Sequence, residues 1–299
     1  MKIAIASCLE EIASGFPAIL LDAYGVFWSG GMGPYPGAKE TMERLVLTGK
    51  KVGILSNTTQ LSAKEIAKLQ SHGLILGKHF HFYLTSGEIA KEIFSQGKIP
   101  FPTLRKKFWL LGKEHPRFAS HKPLFEGSCY EETSNLEEAD FIYLSIPHVN
   151  GEDQVTIDHF QEEVLRVQKR GIPLICPNPD KWAHEGNPPR AVVRQGSLAA
   201  LFQEAGGDVF YTGKPEPMAY LAAMEHFASL GISKPENVLM VGDTPETDIR
   251  GAKRAHMASC LVLQTGIMAD RIQKMGVSAA ISACPDEDTA DLFIEKFAK

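Results

Sequence analysis

Asp22 closes the apolar run Ile19-Leu20-Leu21 and is followed at once by Ala23-Tyr24-Gly25-Val26. A carboxylate at the end of a buried strand is placed to attack phosphorus or carbon as a nucleophile. Gly25 gives the chain room to turn sharply beside it. A lone aspartate in a loop more often caps a turn, so Asp22 takes its meaning from its company. Ser56-Asn57-Thr58 follows Val52-Gly53-Ile54-Leu55. It offers a hydroxyl and adjacent N–H groups, the parts of an anion cradle or of an ordinary turn. Lys214 stands between Gly213 and Pro215. A rigidly held ammonium there neutralises charge on a transferring phosphoryl group, against the usual fate of a lysine in solvent. Val238–Gly242 delivers Asp243 to a strand tip, and Asp248 falls in the first turn of the helix that follows. Asp248 is also open to a role as a cap on the helix dipole. Three carboxylates brought together repel one another unless a cation compensates, and hard oxygen ligands suit Mg²⁺.

These residues need a scaffold that brings strand ends together. Strand-like runs alternate with helix-like ones, the pattern of a parallel α/β sheet. Strands are expected at 18–22, 52–56, 82–85, 238–242 and 259–263, with helices at 37–48, 62–72, 87–96, 217–230 and 245–255. Ser62-x-x-Glu65 reads as a capping box for the second helix. From about Lys98 to Glu126 the texture changes to prolines, aromatics and basic residues. Strands at 108–111, 141–144 and 174–176, with a long helix at 153–170, mark residues 89–177 as an inserted second domain. Residues 1–88 and 178–299 then form the first domain, which includes a helix at 198–204 and a last one near 291–297.

The chain has 299 residues, 44% of them hydrophobic and 22% charged, with a net charge of −5. That balance speaks against nucleic acid or an anionic membrane as a general partner. Five scattered cysteines (Cys8, Cys129, Cys176, Cys260 and Cys284) show no zinc or disulfide spacing. They point to a reducing, cytoplasmic setting. Met1–Cys8 is too short in apolar residues for a signal peptide, and no run approaches the ~18 apolar residues of a membrane span.

The ordered set Asp22…Gly25, Ser56-Asn57, Lys214-Pro215 and Gly242-Asp243-x₄-Asp248 resembles the four motifs of the haloacid dehalogenase (HAD) superfamily. The long insertion between the second and third motifs resembles the class II, type A cap of its NagD-like and nitrophenylphosphatase-like branch. Asn178-Pro179-Asp180 and Pro36-Gly37-Ala38 are similar to further stretches of that branch. The resemblance implies a Rossmann-like core with an inserted α/β cap that covers the site and selects a small phosphorylated substrate. It also implies an aspartyl-phosphate on Asp22 and Mg²⁺ held by Asp22, the Tyr24 backbone carbonyl and Asp243, with Asp248 as a further or more distant ligand. Ser56 and the backbone about Asn57 and Thr58 then bind phosphoryl oxygens, while Lys214 ties Asp22 to the phosphate. A homodimer formed through the cap is compatible with it.

Tyr24 departs from the pattern, because phosphatases of this superfamily usually carry an aspartate two residues after the nucleophile. A phenol with a pKa near ~10 is a poor base at neutral pH, and loss of a positioned acid/base typically costs ~10²–10⁴ in rate. Three readings follow: a slow or leaving-group-selective phosphatase, a catalytically impaired binder of a phosphorylated ligand, and a metal-free 2-haloacid dehalogenase. The acidic cluster weighs against the last, since it repels an anionic haloacid. Asp180, Trp182, His184, His148 and Asn150 are candidate cap contacts, and Phe27 and Trp28 read as core.

Overall fold

A computed structural model describes residues 4–30, 32–118, 120–186 and 190–299. Among these residues, six strands form one parallel sheet in the order Leu292–Ile294, Ala258–Val262, Val238–Gly242, Ala18–Leu21, Lys51–Ser56, Phe82–Thr85. The strands are apolar almost throughout because both faces are covered. Side chains alternate along the first strand. Ile19 and Leu21 join Val52, Ile54 and Val241 on one face, against Met42 and Leu45 of helix Ala38–Leu47. Ala18 and Leu20 join Leu55, Val238 and Met240 on the other, against Tyr220 and Ala223 of helix Pro217–Ser229.

Ala18–Leu21 lies between Val238–Gly242 and Lys51–Ser56. The chain runs outward from it on one side and later returns on the other, so the strand order reverses there. In open α/β sheets such a reversal leaves a crevice beyond the carboxyl ends of the two strands concerned. Leu21 pairs in register with Val241, and Asp22 and Asp243 therefore leave the sheet side by side.

A second parallel sheet takes the order Val209–Tyr211, Leu174–Cys176, Phe141–Leu144, Lys107–Leu111, Glu131–Glu132. Helices Asp158–Gln168 and Gln195–Glu204 cover one face through Phe160, Val164 and Phe202. Phe108, Phe125, Phe141 and Tyr143 pack on the other with Ala90 and Phe94 of helix Ser86–Ser95. Ile89 of that helix packs in the first sheet's core, so this one helix is wedged between the two sheets.

Four local expectations change. The return to the first sheet, expected at residue 178, comes only after Tyr211, because Val209–Tyr211 pairs with Leu174–Cys176. Both units alternate strand and helix, so no change in pattern marks the crossing. Residues 291–297 are not a helix: Leu292–Ile294 is a strand beside Ala258–Val262, and Ala6 bridges Ile294. Three residues are too few to display a period of two. The Ser62–Glu65 capping box does not form, because both partners are drawn into tertiary contacts. The Ser62 N–H donates to the Glu88 carboxylate at 3.0 Å, and buried Glu65 faces the Tyr24 hydroxyl at 3.4 Å. The helix expected from Asp153 begins at Asp158, since buried Asp153 is held by Arg117 and Arg194. Among the described residues, no helix is long and apolar enough to cross a membrane.

Phe297 is 2% exposed and lies 6.2 Å from Phe27, ring to ring. Phe297→Ala should destabilise the protein by about 3–5 kcal/mol. Denaturant unfolding of the variant checks this, and a loss below about 1 kcal/mol would show that the Phe297 ring is not part of the core.

Candidate active site

Both central strands end in carboxylates because the sheet's hydrogen bonding carries them there. The Asp22 N–H still donates to Val241 O at 2.9 Å, which fixes the first residue past the strand. Gly25 follows with φ +81°, a left-handed conformation that glycine adopts without strain. A Cβ at Gly25 would come within 2.3 Å of Asp243 Oδ2, and one at Gly242 within 2.2 Å of the Asp248 side chain. Both positions demand glycine for space, and Gly25 for backbone geometry as well.

Lys214 is 2% exposed, and its ammonium lies between two carboxylates. Nζ donates to Asp22 Oδ1 and to Asp248 Oδ1, each at 2.6 Å. Asp248 Oδ2 accepts the N–H groups of Asp243 and Thr244 at 3.1 Å, so Asp248 anchors the lysine and clamps the turn that carries Asp243. Asp243 Oδ2 accepts the Ile267 N–H at 2.7 Å, and Thr244 Oγ1 donates to its Oδ1 at 3.1 Å. The stretch Pro245–Ile249 is a turn of π-helix, and the Tyr220 hydroxyl donates to the carbonyls of Thr247 and Asp248 at 3.1 Å.

Burial raises the Asp22 carboxyl above the usual range; Lys214 opposes the shift, while Asp248 and Asp180 add to it. Asp243 is raised well above that range by burial and by Asp22 and Asp248. Burial works against the Lys214 charge, but Asp22 and Asp248 outweigh it and hold the ammonium protonated well above the lysine range. One ammonium thus faces three buried carboxylates whose ligand oxygens lie within 4.8 Å of one another. The Tyr24 carbonyl beside them accepts no hydrogen bond among the described residues. Excess negative charge on hard oxygen donors fits a divalent cation.

The Asn57 side chain has partners within the protein. Its Oδ1 accepts the Lys214 N–H at 2.7 Å, and its Nδ2 donates to Lys214 O at 3.1 Å and to Asp180 Oδ1 at 2.9 Å. The side chain is spent on holding three segments together, which leaves the backbone around it for an anion. Ser86 Oγ fixes that loop by donating to the carbonyls of Asn57 and Thr58 at 2.8 and 3.0 Å. Ser56 and Thr58 line a cavity of about 640 Å³ together with Asp22, Tyr24 and Asp243.

The Tyr24 hydroxyl accepts from Lys68 Nζ at 2.6 Å and faces Glu65. Lys68 also lies over the rings of Tyr24 and Trp28. Burial, with Glu65 and Glu185 nearby, raises the phenol further above its ordinary value. Tyr24 is therefore no base at neutral pH. Phe27 and Trp28 are core, as expected.

Of the cap candidates, Asp180, Trp182 and His184 line the cavity. His184 sits on the hairpin strand Trp182–Glu185, and its Nε2 meets Asp270 Oδ2 at 2.7 Å, across from helix Gly266–Met275. His148 instead packs on His115, and Asn150 occupies a left-handed turn position; neither lines the cavity. Lys64, Lys68, Arg117 and Arg194 also line it. Only their convergence in space reveals them, since charged side chains on a helix or loop are ordinarily solvated.

The chain is similar to chronophin from Bos taurus, 25% identical over 264 residues that cover 87% of this chain and 85% of that protein. A haloacid dehalogenase-like hydrolase from Brucella suis 1330 shares its fold at a TM-score of 0.79 and 20% identity, over 98% of this chain and 100% of that one. A p-nitrophenyl phosphatase from Archaeoglobus fulgidus does so at 0.63 and 21%, over 94% and 96%. Residues 19–121 match the haloacid dehalogenase-like hydrolases and residues 211–286 the HAD-hydrolase-like group. With these matches falling on the two segments that supply Asp22, Ser56, Lys214, Asp243 and Asp248, the chain belongs to the haloacid dehalogenase-like family of hydrolases.

Proposed function

We propose that this hydrolase is a Mg²⁺-dependent phosphatase of small phosphomonoesters that works through an aspartyl-phosphate on Asp22. The observation that carries this reading is the Lys214 ammonium, which bridges Asp22 and Asp248 at 2.6 Å within a cluster of three carboxylates. A nucleophile, a fixed cation and a divalent-ion site at one sheet edge are the parts phosphoryl transfer needs. A cavity of about 640 Å³ suits a small metabolite.

Asp22, the Tyr24 carbonyl and Asp243 would hold Mg²⁺, with Asp248 beside them, and the ion when bound supplies positive charge to the phosphoryl oxygens. Ser56 and the backbone about Asn57 and Thr58 cradle those oxygens, and Lys214 orients Asp22 and favours its ionised form against the effect of burial. The Asp22 carboxylate forms a bond to phosphorus as the ester bond breaks, and water then releases inorganic phosphate. The unit between the two halves of the core serves as a cap, with Trp182 and His184 at the substrate. Tyr24 favours one second reading, a binder of phosphorylated ligands with little turnover. The acidic cluster disfavours haloacid chemistry.

The protein with Mg²⁺ should release phosphate from p-nitrophenyl phosphate, and Asp22→Asn should lower the rate by at least about 10³-fold. An unchanged Asp22→Asn rate would remove the nucleophile, and tight phosphate binding without turnover would favour the binder. Tyr24→Asp places a carboxyl where the family usually has one and should raise turnover of alkyl phosphates roughly 10-fold or more. No gain in that variant would show that Tyr24 is not what limits the rate.

The pH dependence follows from the raised carboxyls. Asp22 and Asp243 keep protons in the folded state that they lose when unfolded, so the stability they contribute is greatest at low pH. It is lost as pH rises through their shifted values. A cation replaces those protons, so the increase in melting temperature caused by Mg²⁺ should grow from pH 5 to pH 8. A thermal shift that is flat across this range, or absent in the wild type, would count against a carboxylate site.

A further inference from the structure

When the phosphorus–oxygen bond of a phosphomonoester breaks, its alcohol portion departs as an alkoxide or phenoxide, and departure is faster when a positioned group hands it a proton. Tyr24 is occupied with Lys68 and Glu65 and holds its own proton too firmly for that task. Six carboxyl side chains line the cavity among the described residues: Asp22, Glu65, Asp180, Glu185, Asp243 and Asp270. Asp22 and Asp243 belong to the nucleophile and cation sites. Glu65 faces Tyr24, with Lys68 at 3.8 Å. Glu185 accepts from Arg194 at 2.8 Å, and Asp270 is paired with His184 at 2.7 Å.

Asp180 differs from all of these. Its Oδ1 accepts from the neutral Asn57 amide at 2.9 Å, and its Oδ2 has no hydrogen-bond partner among the described residues. Asn57 in turn holds the Lys214 backbone, so a short chain of hydrogen bonds fixes Asp180 relative to the nucleophile. A Cβ at Gly196 would come within 1.9 Å of Pro179 O, which shows how closely helix Gln195–Glu204 backs the loop that carries Asp180.

We propose that Asp180 replaces the missing acid/base, donating a proton to the leaving oxygen and then taking one from the hydrolytic water; this rests on the phosphomonoesterase reading. In the first step a bond forms between an Asp22 oxygen and phosphorus while the phosphorus–ester oxygen bond breaks. The bonding pair goes to the leaving oxygen, which takes the proton from Asp180 Oδ2 and departs as the alcohol. In the second, water oxygen bonds to phosphorus as the phosphorus–Asp22 bond breaks. The water proton returns to Asp180, and inorganic phosphate leaves. Burial raises the Asp180 carboxyl to about 6, against the pull of Lys214 and the Asn57 hydrogen bond; Asp248 raises it and Arg194 lowers it. Asp22 and Cys176 also face it. A fraction of the protein therefore carries the proton near neutrality.

The test compares a poor and a good leaving group, with glycerol 2-phosphate and p-nitrophenyl phosphate hydrolysed in Mg²⁺ by wild type, Asp180→Asn and Asp180→Glu. Asp180→Asn should lose about 10²–10³ in kcat/KM, which reports the steps through departure of the leaving group, on the alkyl ester but less than about 10-fold on the nitrophenyl ester. It should also lose the fall in rate on the alkaline side of the pH profile, whereas Asp180→Glu should keep both the wild-type profile and the wild-type sensitivity to the leaving group. Equal losses in kcat/KM on the two esters would mean that Asp180 only holds the Asn57 loop, and would overturn the assignment while leaving the phosphatase reading intact. An Asp180→Glu variant indistinguishable from Asp180→Asn would overturn it as well. Wild-type protein that turns over neither ester overturns both readings together.

Discussion

One buried ammonium decides how this site is built. Lys214 sits where three strands' ends converge and donates to Asp22 and Asp248 at once. Without it, three desolvated carboxylates would share one small volume, and Coulomb repulsion at low local dielectric would drive them to protonate or move apart. With it, Asp22 is aimed and Asp248 is free to clamp the Asp243–Thr244 turn through its second oxygen. The lysine reaches this place because Asn57 grips its backbone on both sides, N–H and carbonyl. The Asn57 side chain is thus a structural tie between segments distant in the chain.

The remaining negative charge is the functional consequence. One cation does not balance Asp22, Asp243 and Asp248, and the surplus on hard oxygen donors suits a divalent cation at this edge. Burial raises the Asp22 and Asp180 carboxyls toward neutral pH, and Asp248 adds to the shift in both.

The second sheet contributes by position. It is tied to the first through helix Ser86–Ser95, which packs in both cores, and through the contact of His184 with Asp270. Arg117, Arg194 and the hairpin carrying Trp182 and His184 line the cavity beside Asp22 and Asp243. Arg194, itself buried, is neutralised by Asp153 and Glu185.

The sequence by itself determined the parallel α/β plan, the order of the four motifs and the residues that carry them. Apolar runs ending in Asp22, Ser56 and Asp243 are local signals, since burial of both strand faces forces a continuous run and its end is visible in one dimension. What depended on partners distant in the chain was not legible. Leu292–Ile294 is a strand because an edge of the sheet awaited one, and Val209–Tyr211 belongs to the second sheet because Leu174–Cys176 offered it hydrogen bonds. Ser62 and Glu65 abandoned a local cap for Glu88 and Tyr24. Tertiary structure alone decided which way Tyr24 turns and which cavity-lining acid, Asp180, keeps an oxygen without a hydrogen-bond partner among the described residues. A side chain's pKa and direction are set by neighbours that chain connectivity does not specify.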